Sequence, residues 1–285
     1  MKSAASFNNH FECSISRGMG AYSPSKDAHH RTFLAISGLL FAVSALVTVL
    51  WCNSMSATGE MGMPGGWTMS MAWMRMPGQT WIEATASFLA MWVVMMAAMM
   101  LPSLAPMLVR YRQAVRGSGA SRLALLTVLA GLAYFFVWSL FGLAVFPLGV
   151  VLATAEMEHP ELAHAVPVAV GVVIFIAGAV QLTPWKAHHL VCCREMPARD
   201  RTLPTDAGTA WRQGVRFGFH CGLSCANLTA ILLVVGVMDL RAMAVVTAAI
   251  TAERLAPAGE SVARAIGVVV IGAGLLLIAQ SAGLR

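Results

Sequence analysis

Residues 91–107 read MWVVMMAAMMLPSLAPM, a stretch without a charged side chain. It lies in the second of several apolar segments that approach or exceed the roughly 20 residues needed to cross a bilayer. The 285-residue chain is 58% hydrophobic and 11% charged, with a mean hydropathy of +0.71, which excludes an ordinary soluble domain. We therefore predict an all-α fold, a polytopic transmembrane bundle of about seven helices. The predicted helices cover residues 33–51, 86–109, 123–152, 166–184, 217–238, 240–256 and 264–282.

Two regions are predicted from the distribution of polar residues. Residues 1–32 are mostly polar and are interpreted as a disordered cytoplasmic arm. Residues 33–285 are interpreted as one transmembrane domain, which includes a Met-rich outer loop at 52–85. No small-x-small site closes the first apolar segment, so we predict an uncleaved anchor rather than a signal peptide.

Basic residues predict how the chain is oriented, because Lys and Arg accumulate on the cytoplasmic side of a membrane. They cluster in the N-terminal arm, at 110–122 and at 186–216, whereas the segments at 52–85 and 153–165 contain few. This pattern predicts a multi-pass protein of the bacterial inner membrane with a cytoplasmic N-terminus. It also explains the net charge of +6, so the lipid bilayer is the expected partner and nucleic acid is not.

The loop at 52–85 is rich in methionine, with seven Met between positions 55 and 76 in three Met-x-Met pairs. Thioethers are soft, neutral ligands that suit Cu(I) or Ag(I) better than a hard cation. The loop is therefore interpreted as a metal-capture segment. The alternative is that Met fills an apolar surface as an adaptable side chain. The candidate ligands are Met61, Met63, Met69, Met71, Met74 and Met76.

The second predicted helix continues this pattern. On a helical wheel its methionines occupy one half, and small residues such as Val93 and Ala97 occupy the other. The methionine half could form a row of sulfurs that leads inward from the loop, or it could be a packed helix interface. The candidate ligands on this face are Met91, Met95, Met96, Met99 and Met100.

Cysteine and histidine cluster near the cytoplasmic end of the predicted bundle. Cys221 and Cys225 are four residues apart, so they share one face of a helix and suit two thiolates on Cu(I) or part of a zinc site. The alternative is that both are small buried side chains. The further candidate ligands are His188, His189, Cys192, Cys193 and His220.

Three segments also carry a family likeness: residues 91–107, the QLTPWK segment at 181–186 with the cysteines after it, and FGFHCGLSCANLTAILLVVGVMDLRAMAVVTAAITAERLAP at 217–257. With these segments the chain resembles a bacterial family of predicted metal-binding integral membrane proteins, catalogued as a domain of unknown function and sometimes labelled copper chaperones. The resemblance covers most of the chain from about residue 85 and implies metal binding. The family usually has adjacent cysteines and a methionine where this chain has Ser224 and Thr229, so one potential thiolate is missing.

These features predict an integral membrane protein that binds a soft metal ion, Cu(I) foremost and Zn(II) as the alternative, for copper delivery, trafficking or homeostasis. A periplasmic or membrane metalloprotein is the expected recipient. No catalytic residue is predicted, because the chemistry on offer is metal ligation. Two alternatives remain: a membrane thiol-disulfide oxidoreductase that uses the cytoplasmic-side cysteines, and a structural subunit whose methionines only pack.

Overall fold

The computed structural model describes residues 27–57, 61–63, 67–69, 71–76, 78–115, 119–196 and 203–283. These ranges contain eight α-helices, one antiparallel pair of short strands and one 3-10 turn at Met71–Trp73. The strands are β1 (Met61–Met63) and β2 (Trp67–Met69). The helices are α1 (Asp27–Ala57), α2 (Trp81–Ala114), α3 (Ala120–Glu158), α4 (Pro160–Gln181), α5 (Pro184–Glu195), α6 (Ala207–Val235), α7 (Leu240–Leu255) and α8 (Gly259–Ser281).

The all-α bundle predicted from the sequence is confirmed. Six of the described helices, α1 to α4, α6 and α8, are long and apolar enough to cross a membrane. The sixth predicted segment, 240–256, corresponds to α7, whose 16 residues extend about 24 Å. The protein is therefore a helical membrane protein.

The short helix α5 is the element that the sequence prediction missed. Its 12 residues read PWKAHHLVCCRE and do not form an apolar run. The fourth predicted helix extended to residue 184, but α4 ends at Gln181. Pro184 then opens α5, and the Thr183 side chain caps it by accepting a hydrogen bond from the backbone N–H of Lys186.

Side chains cap the starts of α2, α5, α6 and α7. Thr80 and Glu83 form a capping box at α2, in which the Thr80 N–H donates to the Glu83 carboxylate at 2.8 Å. Asp206 caps α6 by accepting from the N–H of Thr209 at 2.7 Å. Asp239 caps α7 in the same way. The Asp239 cap thereby fixes where α7 begins after the tight turn that follows α6.

Helices α4 and α8 form an extensive, close contact that is built on glycines. Gly171 and Gly178 of α4 face Gly267 and Gly274 of α8, and their small size lets backbone atoms of the two helices approach closely. In contrast, α1 packs mainly against α2 and exposes most of its large apolar side chains. Such exposure suits contact with lipid.

One end of the bundle, here called the α5 end, holds α5 and the chain segments around it. The backbone N–H of Leu203 donates to the Ala114 carbonyl at the end of α2. Arg122, at the start of α3, donates to the Thr205 carbonyl at 3.0 Å. Arg194 of α5 donates to the Ala256 carbonyl at 2.5 Å. The ends of α2 and α7 and the start of α3 are thus tied together next to α5.

Candidate metal centre

The Cys221 thiol is the meeting point of several helices. Its side chain is fully buried in α6. The Met100 sulfur of α2 lies 4.0 Å from Sγ, the Tyr134 hydroxyl of α3 lies 2.8 Å away, and Nη2 of Arg254 in α7 lies 3.1 Å away. One sulfur therefore has a thioether, a phenol and a guanidinium around it, each from a different helix.

A second thiol approaches from α5. Cys193 is buried, its Sγ lies 4.0 Å from the Met107 sulfur, and it interacts with Cys221. The interaction with Cys221, followed by burial, raises the pKa of Cys193 well above its usual value. Met100 and Met107 are two turns apart on α2, about 10 Å along its axis. The four sulfurs therefore form a row, here called the sulfur row: Met100, Cys221, Cys193 and Met107.

The spacing within the sulfur row suits a soft metal ion. The Zn–S bond length is about 2.3 Å, so two sulfur ligands of one trigonally coordinated metal ion lie about 4 Å from each other. Both thioether–thiol distances in the row are 4.0 Å. Within the described residues, no group of three or more His, Cys, Asp or Glu side chains is placed to hold a metal ion. A metal site here would therefore need an ion that accepts a low coordination number and thioether ligands, and Cu(I) accepts both.

Cys225 is buried one turn from Cys221, as its spacing predicted. Its thiol donates to the Cys221 carbonyl oxygen at 2.9 Å, so it is directed toward the backbone of its own helix. The sequence paired Cys221 with Cys225, whereas the structure also brings Cys193 and Met100 to Cys221 from other helices. Tertiary neighbours of this kind leave no trace in local spacing.

The histidines group separately, at the α5 end. The ring centroids of His188 and His189 are 5.4 Å apart, and those of His189 and His220 are 5.9 Å apart. The Cys192 sulfur lies 3.6 Å from Nε2 of His188. Burial and the neighbouring His188 lower the pKa of His189, which favours the neutral imidazole that binds metals. Cys192 and Cys193 thus serve different groups although they are adjacent in sequence.

An ion pair that sequence reasoning missed lies beside the sulfur row. Nζ of Lys186 is 2.8 Å from the Glu253 carboxylate, and the two side chains are 1% and 2% exposed. Lys186 also donates to the Ser224 carbonyl, and the Gln181 amide donates to Glu253. Asn227 completes the network by donating to Gln181 at 2.7 Å. Helices α4, α5, α6 and α7 are therefore joined by one buried polar network.

The sequence placed these charges in a loop or at a helix end. Lys186 begins the basic segment at 186–216, which is predicted to be cytoplasmic, and Glu253 and Arg254 lie near the end of the sixth predicted helix, 240–256. In the structure Lys186 lies in α5 and Glu253 and Arg254 lie in the last turn of α7, and all three side chains are buried. Arg254 donates to the Ser103 hydroxyl at 2.9 Å and to the Ser224 hydroxyl at 2.9 Å. Ser224, the departure from the family pattern, is therefore a hydrogen-bond partner of the guanidinium.

The methionine face of α2 is buried, with all five predicted side chains at most 8% exposed. They belong to the hydrophobic core, so the packing interpretation accounts for their positions. The alternative, that these methionines form a row of sulfurs along which a metal ion moves inward, stays a prediction. Met100 is the member that lies against a thiol. The set comprises Met91, Met95, Met96, Met99 and Met100.

The predicted capture loop is partly described. Met61 in β1 and Met69 in β2 are register partners, whereas Met63 is paired with Trp67. Met74 is half-buried, and Met76 is 37% exposed. The side chains of Met61, Met63, Met69 and Met71 lie outside the described residues. Cys52, the first residue of the predicted loop, lies in α1, and its sulfur is 3.8 Å from that of Met238.

Comparison of the sequence with known proteins identifies the family of this chain. No curated protein and no solved structure matches the chain. A family model described as "PpoB2: Copper chaperone" matches residues 89–277, a range that contains the whole sulfur row and the histidine group. Because this match covers more than half of the chain, the protein belongs to the PpoB2 copper chaperone family.

Proposed function

We propose that this protein binds Cu(I) in the sulfur row and serves copper delivery, trafficking or homeostasis at the bacterial inner membrane. The observation that carries the proposal is the pair of buried thiols, Cys193 and Cys221, flanked by the thioethers of Met107 and Met100. Sulfur ligands of both kinds select a soft ion such as Cu(I). The family description supports the same metal. Zn(II) is the competing ion, and it prefers four ligands in a tetrahedron.

The proposed route follows the methionines. With a cytoplasmic N-terminus, the Met loop lies outside the cell membrane and captures the ion. The methionine face of α2 relays it, and Cys221 receives it together with Cys193, while the Cys225 thiol keeps its hydrogen bond to the Cys221 carbonyl. The histidine group of His188, His189, His220 and Cys192 then holds it at the cytoplasmic end. A periplasmic or membrane metalloprotein is the proposed exchange partner.

The central test removes the two thiols. Cys193→Ser with Cys221→Ser should weaken Cu(I) binding by about 100-fold or more, since loss of supporting contacts alone costs 10–100-fold. The measurement is anaerobic Cu(I) titration of the detergent-purified protein against a competing chelator. Cys52→Ser is the matched control, because Cys52 is equally buried but contacts Met238 outside the row. Equal Cu(I) affinity in the double variant and the wild type would refute the proposed site.

The loop is tested separately. Replacing Met61, Met63, Met69, Met71, Met74 and Met76 with Leu keeps the apolar volume and removes the thioethers. Uptake of Cu(I) by the row should slow by about tenfold while the occupancy of the row at equilibrium stays the same. Stopped-flow transfer from a Cu(I) chelator measures the rate. An unchanged rate would leave these methionines as packing residues.

The thiol-disulfide oxidoreductase is kept as a second candidate, because one observation favours it. Arg254 and Tyr134 both contact the sulfur of Cys221, and a positive neighbour stabilises a reactive thiolate. Cys193 is near enough to act as its resolving thiol. A mixed disulfide with a partner, trapped through Cys221 when Cys193 is replaced by Ser, would support this function. Thiols that stay reduced under oxidant would exclude it.

A further inference from the structure

The buried charges beside the sulfur row do not cancel. Lys186 and Glu253 neutralise each other as an ion pair. Arg254 is 8% exposed, and the described contacts of its guanidinium are with Ser103, Ser224 and Cys221. No carboxylate of the described chain is paired with it. The row therefore lies next to one fixed positive charge with no acidic partner, and a buried charge of this kind calls for an anion.

The charge of the occupied row depends on the ion. Thiol ligands bind a metal as thiolates, so two S–H bonds break, two S–metal bonds form and two protons leave to the solvent. Cu(I) with the thiolates of Cys193 and Cys221 carries a charge of −1, because the thioethers are neutral. Arg254 brings the total to zero. Zn(II) with the same ligands is neutral, and the charge of Arg254 then remains uncompensated.

We propose that Arg254 is the specificity-determining residue of the sulfur row and that it selects a monovalent soft cation over a divalent one. It acts as a positioning residue, since its guanidinium contacts the Cys221 sulfur and carbonyl and does not bind the metal. The inference rests on the proposed function and adds one rule to it: the ion, the two thiolates and Arg254 together have a total charge of zero. Cu(I) and Ag(I) satisfy the rule, whereas Zn(II) and Cd(II) do not.

The test compares Cu(I) and Zn(II) affinities in variants of one position. Arg254→Gln removes the charge and retains hydrogen-bonding groups. We expect the ratio of Cu(I) to Zn(II) affinity to fall by about 10–100-fold, the usual effect of a residue that supports a metal ligand. Arg254→Lys keeps the charge and should retain most of the ratio. Arg241→Gln is the matched control, because Arg241 lies at the other end of α7 and is exposed.

A second pair of variants leaves Arg254 in place. The Ser224 hydroxyl accepts from Arg254 at 2.9 Å, so Ser224→Asp puts a carboxylate beside the guanidinium, and Ser224→Asn is the neutral control of similar shape. Ser224→Asp should shift the preference toward Zn(II), and Ser224→Asn should not. This pair decides the matter if Arg254→Gln does not fold.

The outcomes separate the two proposals. A wild-type protein that binds no Cu(I) overturns the proposed function. A wild-type protein that binds Cu(I), with a Cu(I) to Zn(II) ratio unchanged in Arg254→Gln or in Ser224→Asp, overturns the role of Arg254 alone. A lowered ratio in these variants, with Arg254→Lys and Ser224→Asn near wild type, supports it.

Discussion

Glu253→Gln should destabilise the folded protein by about 3–5 kcal/mol, the usual cost of removing one partner of a buried ion pair. Lys186 would keep its charge in a site where it is 1% exposed and where Glu253 is its acidic partner. The same substitution weakens the link from α7 to Gln181 of α4. Thermal unfolding in detergent, followed by the helical circular dichroism signal, measures the change.

The control for this experiment is the exposed ion pair on α8. Arg264 and Glu260 are 3.6 Å apart, with side chains 65% and 46% exposed, so Glu260→Gln should change stability by less than about 1 kcal/mol. Adding Lys186→Met to Glu253→Gln should recover much of the lost stability, because neither position of the pair then carries a charge without its partner. Similar losses for Glu253→Gln and Glu260→Gln would contradict the structural role of the buried pair.

Gly274→Ala should lower stability by about 1–3 kcal/mol, the typical cost of overpacking. A Cβ at Gly274 would lie 2.6 Å from the backbone nitrogen of Phe175 and 2.8 Å from its Cα. These are backbone atoms of α4, which cannot move aside as a side chain can. The two helices would therefore have to separate. Unfolding in detergent again measures the effect.

Gly272 is the matched control on the same helix. A Cβ there meets no atom within 4 Å. Gly272→Ala should therefore leave stability unchanged or raise it by up to about 1 kcal/mol, since Ala favours the helix over Gly. Opposite signs for two glycines two residues apart would locate the close contact between α4 and α8. A loss at Gly272 equal to that at Gly274 would refute it.

Most of the fold was predictable because apolar length alone identifies a membrane helix. The prediction failed at α5, where a helix of 12 residues carries Lys186, His188 and both adjacent cysteines, so no apolar run marks it. That helix places Cys193 beside Cys221. An error in one short element therefore hid half of the thiol pair.

The candidate site was predictable by residue type and much less by arrangement. Cys221, Cys193 and Met100 were all candidate ligands on chemical grounds, and the structure brings them together. Tyr134 and Arg254 were not predicted to be part of the site, because nothing in the sequence near either residue shows which helix it contacts. Partners of this kind depend on how helices pack and not on spacing along one helix.

The glycine contact between α4 and α8 has a consequence for biosynthesis. The described side chains that contact the Cys221 sulfur, those of Met100, Tyr134 and Arg254, all precede α8 in the chain, so they are synthesised before α8 leaves the ribosome. α4 precedes α8 by nearly 80 residues and stays without its main partner until synthesis reaches α8. Helices that enter a membrane separately associate afterwards. The sulfur row can therefore close on the nascent chain, while α4 takes its final place only when α8 arrives.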